Sequence, residues 1–232
     1  MNRHVMTACS VVVLASFVGT AGANDIAEAA KNRDLGALRL LLNEQSDPSV
    51  PMLDGSTALH WAANWEDIEM VDLLIGAGAK VDAANRNGVT PLALATTKGN
   101  APVIERLLEA GADPNETVLL NGETALMLAA RTGSRDAVQR LIEYGADVNA
   151  REALRGTTPL MWAAAADSAD IAQLLVEQEV DVDAQSTVTA LPPPQRCGTN
   201  CDSPGNTDGF TALTIAARER SLETVGVLLA AG

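Results

Sequence analysis

The sequence has few of the residues that most often carry catalysis. Its 232 residues include three cysteines, two histidines and only 3% aromatic side chains. No nucleophile stands in an evident pair with a base, and there is no glycine-rich phosphate loop and no cluster of metal ligands. The sequence therefore predicts a protein that is not an enzyme and that uses no cofactor and no metal.

The scarcity of aromatic residues also bears on the core. Large rings cannot be its main filler, so Ala, Leu, Val and Ile must supply most of the buried volume. Small side chains let helix backbones approach closely, and alanine and leucine are strong helix formers. An all-α fold is therefore expected.

Basic residues are outnumbered. The chain has 16 Lys and Arg against 30 Asp and Glu, which gives a formal net charge of −14. Such a surface repels nucleic-acid phosphates and anionic lipids. We therefore expect no nucleic-acid partner and no role at a membrane surface.

No apolar run is long enough to span a bilayer. The longest, Val5 to Val18, has about 14 residues, whereas a helical span needs roughly 20. It follows Arg3 and precedes the small residues at 21–23, a pattern typical of a secretory signal. We expect residues 1–23 to be removed after Ala23, without membrane insertion of the mature chain, which would be periplasmic or secreted.

Two cysteines, Cys197 and Cys201, lie in the proline-rich stretch LPPPQRCGTNCDSPGNT. Cys9 would leave with the signal, so the exported chain would keep an even number of thiols, which predicts a disulfide. The alternative is a zinc site, which needs two further ligands nearby, and the mature chain has His60 alone as histidine. A ring of about five residues stabilises by only about 2 kcal/mol, so the disulfide would shape a loop.

Five segments share one pattern of turn, short helix, second helix and exit loop. They begin with DGSTALHWAA at Asp54, NGVTPLALAT at Asn87, NGETALMLAA at Asn121, GTTPLMWAAA at Gly156 and DGFTALTIAA at Asp208. Their shared threonines, Thr57, Thr90, Thr124, Thr158 and Thr211, are spaced by 33, 34, 34 and 53 residues. One helix pair cannot cover its own apolar face but stacked copies can, so the period predicts a solenoid.

Local signals support helix pairs. The threonine hydroxyls can cap the first helices, and the second helices show apolar stripes such as Val138, Leu141 and Ile142. Left-handed glycines at Gly78, Gly111 and Gly145 are expected to end the second helices. Glu179 replaces this glycine in one unit, at an expected cost of about 1 kcal/mol if the left-handed conformation is kept.

The motifs TALHWAA at 57–63, TPL at 90–92 and 158–160, and LLEAGAD at 107–113 resemble the ankyrin repeat. The resemblance covers essentially all of the chain after residue 23. It implies an all-α solenoid of stacked helix-turn-helix units with β-turn fingers, and a structural, hydrogen-bonding role for His60. It also implies a protein partner held on the concave side.

The expected organisation has six units. Residues 24–53 would be a degenerate N-terminal capping repeat, 54–86, 87–120, 121–155 and 156–186 full repeats, and 208–232 a truncated repeat. Residues 187–207 would form an inserted loop, which explains the spacing of 53 residues. Whether this loop binds a ligand or only decorates the surface stays open.

The expected function is a non-catalytic, monomeric protein–protein interaction scaffold of bacterial type, acting in the cell envelope or outside the cell. The alternative is a regulatory or assembly-assisting subunit of a larger envelope protein, with the chain continuing past Gly232. Carried over from the resemblance, the candidate partner-binding residues are Asp54, Asn64, Trp65, Arg86, Asn87, Lys98, Asn121, Arg131, Arg155, Phe210 and Arg218.

Charge and aromatic residues refine this expectation. The positions on the expected concave side hold more basic than acidic residues, in a chain of net charge −14. This favours an acidic or polar protein segment as ligand, unless the arginines serve helix propensity alone. Trp61 and Trp162 share the slot of Leu94, Leu128 and Ile215 and are expected in the core, whereas Trp65 is expected either as an exposed anchor or packed against the next turn.

Overall fold

The computed structural model describes residues 25–117, 122–187 and 209–232. Within these residues the chain forms twelve α-helices and no β-strand. In chain order the helices are α1 Asp25–Lys31, α2 Leu35–Asn43, α3 Ala58–Asn64, α4 Ile68–Gly76, α5 Pro91–Lys98, α6 Ala101–Glu109, α7 Ala125–Thr132, α8 Arg135–Glu143, α9 Pro159–Ala165, α10 Ala169–Val176, α11 Ala212–Glu219 and α12 Leu222–Ala231.

The helices stand in two rows. The first helices of the units, α1, α3, α5, α7, α9 and α11, each contact the next member of their row. The second helices from α4 to α12 do the same, and each first helix also contacts its own second helix. The all-α repeat solenoid expected from the sequence is therefore confirmed.

Alanine fills the contact between first helices. Five alanines stand at the same position of successive first helices and are fully buried: Ala62, Ala95, Ala129, Ala163 and Ala216. A methyl group at this position lets neighbouring backbones approach, as the scarcity of large rings predicted. A larger side chain there would force the helices apart.

Threonine begins each first helix from α3 onward. The hydroxyls of Thr90, Thr124, Thr158 and Thr211 accept hydrogen bonds from backbone N–H groups three residues on, at 3.2 to 3.4 Å. These bonds satisfy amides that the helix leaves free, so the predicted capping is confirmed at four positions. At Thr57 the hydroxyl instead lies 2.9 Å from Nδ1 of His60.

A left-handed residue follows the second helix in several units. Gly78, Gly111 and Gly145 have φ values of 85°, 94° and 86°. Glu179 takes this place after α10 with a φ of 57°. The condition on which a cost of about 1 kcal/mol was expected, a left-handed residue other than glycine at this position, is therefore met.

The stack continues across the insertion. Helices α9 and α11 are in contact, as are α10 and α12. The described residues on either side of the insertion are joined directly, since Ser186 N–H donates to Phe210 O at 2.9 Å and Gly209 N–H donates to Ser186 O at 2.8 Å. The insertion therefore leaves and re-enters the fold at one turn.

Several sequence predictions concern other parts of the chain. The signal at 1–23, the pair Cys197 and Cys201, and almost all of the inserted loop lie outside the described residues. Among the residues that are described, no helix has the length and apolar character needed to cross a membrane.

Candidate binding face

The first helices and the turns before them share one side of the solenoid, here called the inner face. Its side chains stand four, three and one residues before, and four, seven and eight residues after, each helix-capping threonine. The position seven residues after the threonine holds Asn64, Thr97, Arg131, Ala165 and Arg218, and the next position holds Trp65, Lys98, Thr132, Ala166 and Glu219. The face thus presents a different side chain in each unit on a common backbone.

The turns of neighbouring units are joined through their backbones. Arg86 N–H donates to Asp54 O at 3.0 Å, and Thr187 N–H donates to Arg155 O at 2.7 Å. The carboxylate of Asp54 accepts from Ser56 N–H at 2.9 Å, and this bond is the main reason why the pKa of Asp54 lies below its ordinary value. These contacts hold the turn backbones at a constant register.

His60 links the first full repeat to the next one. Its Nδ1 accepts from Thr57 N–H at 3.1 Å, and its Nε2 lies 2.9 Å from Val89 O. Because Thr57 N–H needs an acceptor at Nδ1 and Val89 O needs a donor at Nε2, the ring is the neutral form protonated at Nε2. Burial is the main cause that lowers the pKa of His60 below its ordinary value, while the Val89 carbonyl and Asp54 oppose the shift. Both ring nitrogens serve structure, so the ring is not free to act as a base.

Two tryptophans form a platform at the N-terminal end of the inner face. The rings of Trp61 and Trp65 stack with centroids 6.3 Å apart and an interplanar angle of 27°. Lys31 lies over Trp61 at 5.6 Å and Arg33 over Trp65 at 5.8 Å. Trp65 is 38% exposed, as expected of an anchor. Its ring packs on Trp61.

The prediction that Trp61 and Trp162 are core residues is confirmed in part. Both pack against the core but are half-buried, as is Leu94 at the same position, whereas Leu128 and Ile215 are buried there. The position lies at the edge of the contact between first helices, where part of the side chain can reach the inner face. There Trp162 lies under Arg131, whose guanidinium carbon is 5.3 Å from the ring centroid.

Most arginines of the helices lie beside a carboxylate. On the second helices, Arg39 pairs with Glu69, Arg106 with Asp72 at 2.9 Å, and Arg140 with Glu143 at 2.7 Å, whereas Arg135 donates to the Asp170 carbonyl at 2.6 Å. On the inner face, Arg131 lies 3.9 Å from Glu123, and Arg218 lies 3.0 Å from Glu219 and over Phe210 at 5.7 Å.

Three further inner-face cations are exposed. They are Arg86, Lys98 and Arg155, and no carboxylate of the described residues lies within ion-pair distance of any of the three. An exposed cation without a carboxylate partner can accept one from another molecule at little cost. The inner face therefore offers positive charge in a strongly acidic chain.

The structure places the remaining predicted site residues as follows. Asn87 is exposed and donates its N–H to Asn85 Oδ1 at 2.9 Å, Asn64 is half-buried, and Phe210 is half-buried under Arg218. Asn121 lies outside the described residues. The predicted set does not form one cluster but runs along the face from α3 to α11.

Two buried acids were missed by sequence reasoning. Glu152 accepts from the N–H groups of Leu154 at 2.8 Å and Arg155 at 2.6 Å and from the Thr157 hydroxyl at 3.2 Å, and so shapes the turn before α9. Glu123, in the turn before α7, is 7% exposed, and its Oε2 makes no hydrogen bond with the described residues. Acidic residues are so common in this chain that neither stood out.

Comparison with known families agrees with the geometry. A family model described as ankyrin repeats (3 copies) matches residues 26–118 and 115–186, which is more than half of the chain. The chain belongs to the ankyrin repeat family. Members of this family are typically non-catalytic scaffolds for protein–protein interaction.

Curated relatives match over short stretches. The chain is 39% identical over 78 residues to Protein PhlB of Serratia liquefaciens, covering 33% of this chain and 34% of that protein. It is 35% identical over 85 residues to the RelA-associated inhibitor of Mus musculus, covering 37% of this chain and 10% of the inhibitor. The E3 ubiquitin-protein ligase XB3 of Oryza sativa subsp. japonica is 36% identical over 102 residues, covering 42% of this chain and 22% of the ligase. The matches span about a third or less of these relatives.

Proposed function

We propose that this protein is a non-catalytic scaffold that binds a protein partner on its inner face. The observation that carries the proposal is the contrast between the two helix rows. Three of the four arginines on the second helices, Arg39, Arg106 and Arg140, are paired with carboxylates of this chain. On the inner face, Arg86, Lys98 and Arg155 have no such partner among the described residues. Unpaired cations on a chain of net charge −14 favour an acidic or polar partner segment.

Aromatic side chains add to this argument. Trp65 and Trp162 both reach the inner face, and each lies against an arginine. Tryptophan and arginine contribute most often to interface affinity, because they bury a large area and hold a defined geometry. A face already ordered by stacked repeats also loses little conformational entropy when a partner binds.

Capture of a partner from an extract of the source cells tests this function. The intact chain is compared with a variant carrying Arg86→Glu, Lys98→Glu and Arg131→Glu. The control carries Arg39→Glu, Arg106→Glu and Arg140→Glu on the second helices, which changes net charge equally. We expect the first variant to bind the captured partner at least about tenfold more weakly, and the control to bind it normally. Equal binding by both variants would contradict the proposal.

We further propose that the protein acts in the periplasm or outside the cell. The pattern at residues 1–23 and the even number of cysteines after Ala23 support this location. Mass spectrometry of the protein from fractionated cells should find a chain beginning at Asn24, with Cys197 and Cys201 resistant to alkylation until reduction. A cytoplasmic protein that keeps residues 1–23 and two free thiols would contradict it.

A further inference from the structure

A pocket opens on the inner face between α9 and α11. Its volume is about 330 Å³, and its lining includes Trp162, Ala165, Ile215 and Arg218. Ala165 occupies the position that holds Arg131 in the unit before and Arg218 in the unit after. The short side chain of Ala165 between two long ones leaves the floor of the pocket uncovered.

The floor of the pocket is largely apolar. Met161, Trp162 and Ile215 line it, together with Leu154 from the preceding turn. A volume of about 330 Å³ is at the lower end for small-molecule sites, which commonly range from about 300 to 1,000 Å³. It fits one large apolar side chain of a partner better than a cofactor.

The charged residues that line the pocket differ in whether they have a partner within this chain. Glu152 is held by three donors of its own turn, and Glu123 has Arg131 3.9 Å away. Arg155 also lines the pocket, is exposed, and has no ion-pair partner among the described residues. Arg218 is paired with the neighbouring Glu219 at 3.0 Å and lies over the ring of Phe210. Each lining acid thus has a donor or a cation of this chain beside it, and among the described residues Arg155 is the lining cation without an ion-pair partner.

We propose that this pocket receives an apolar side chain of the protein partner, and that Arg155 and Arg218 bind carboxylates flanking it. The proposal rests on the proposed function and adds the chemistry of the ligand. The partner segment would carry a residue such as leucine or phenylalanine with Asp or Glu within two positions. The apolar residue supplies buried area, and the charge pairs set orientation.

The probe is a phage-displayed library of random nine-residue peptides selected on the full mature chain. We expect selected peptides to share an apolar residue flanked by Asp or Glu. Ala165→Leu should fill the pocket and weaken their binding at least about tenfold. Because Ala165 is exposed at the end of α9, this variant should fold normally. Ala77→Leu is the matched control, since Ala77 is an exposed alanine at the end of the second helix α4, away from the inner face, and its binding should be unchanged.

Arginine variants test the role of the rim. Arg155→Glu and Arg218→Glu should also weaken the binding of the selected peptides about tenfold, whereas Arg155→Lys should retain most of the affinity, because it keeps the charge. Basic selected peptides, no enriched peptide, or equal binding by Ala165→Leu and the intact chain would overturn the pocket proposal. If Ala165→Leu leaves capture of the natural partner unchanged while Arg86→Glu with Lys98→Glu abolishes it, the pocket proposal alone fails. If neither Ala165→Leu nor Arg86→Glu with Lys98→Glu changes capture of the natural partner, the proposed function is overturned as well.

Discussion

Arg131 lies between a buried carboxylate and an indole ring: its Nη1 is 3.9 Å from Glu123 Oε2, and its guanidinium carbon is 5.3 Å from the centroid of Trp162. The three residues come from the turn, the first helix and the next first helix of adjacent units. One arginine thus contacts two adjacent repeats, and both of its partners, Glu123 and Trp162, line the inner-face pocket.

Replacing this arginine should cost stability. In Arg131→Gln the Glu123 carboxylate would lose its nearest cation while Oε2 stays buried without a hydrogen bond. Because Arg131 is itself half-exposed, we expect the free energy of unfolding in urea to fall by only about 1 kcal/mol. The double variant with Glu123→Gln should lose less than the sum of the two single variants. Strictly additive losses would show that the pair is not coupled.

The protonation of His60 should make stability depend on pH. Burial lowers the pKa of His60 in the folded chain, so the unfolded chain binds more protons once the pH falls below the ordinary histidine value of about 6.5. The stabilising contribution is therefore complete above that pH and is lost as the pH falls towards the folded pKa. Protonation would also remove the acceptor that Nδ1 offers to Thr57 N–H.

Urea unfolding at about pH 7.5 and about pH 5.5 measures this effect, which is at most about 1.4 kcal/mol for each pH unit between the two pKa values. His60→Asn serves as the comparison, because it removes the titrating group and leaves the carboxylates unchanged. The intact chain should lose more stability on acidification than the variant. Parallel losses in both proteins would assign the pH dependence to other groups.

Replacing the left-handed residue after α10 by glycine should raise the free energy of unfolding, whereas the replacements above lower it. Glu179 has a φ of 57°, which glycine adopts without a steric penalty. We expect Glu179→Gly to raise the free energy of unfolding by about 1 kcal/mol. Glu177→Gly is the matched control, because Glu177 has a φ of −64°, where glycine only adds flexibility to the unfolded chain and should lower stability. A loss in both variants would mean that the backbone at Glu179 is not strained.

The repeat order was predictable because each unit carries its own local signals. Thr158 followed by Pro159 begins a helix wherever the unit stands, and Gly111 ends one. The partial exposure of Trp162 was not predictable from such local signals. Its position is buried where it holds Leu128 or Ile215 but half-buried where it holds Leu94, so the position in the repeat does not by itself decide the exposure.

The pocket could not be read from any single unit. It depends on the short side chain of Ala165, which stands where the neighbouring units have Arg131 and Arg218. It also depends on Ile215, which belongs to the unit after the insertion. The residues of the pocket thus come from separate units, and the insertion lies between two of them in the sequence. Aligning the positions that follow the capping threonines would have revealed the short residue, but not the apolar floor beneath it.

Hydrogen–deuterium exchange of the full chain, with and without its captured partner, tests the central claim most directly. The account predicts slower exchange in the turns around Asp54, Arg86 and Arg155 and at the ends of α5, α7 and α11. Exchange in α4, α6, α8 and α10 should not change. Protection confined to these second helices, with the turns and first helices unaffected, would contradict binding on the inner face.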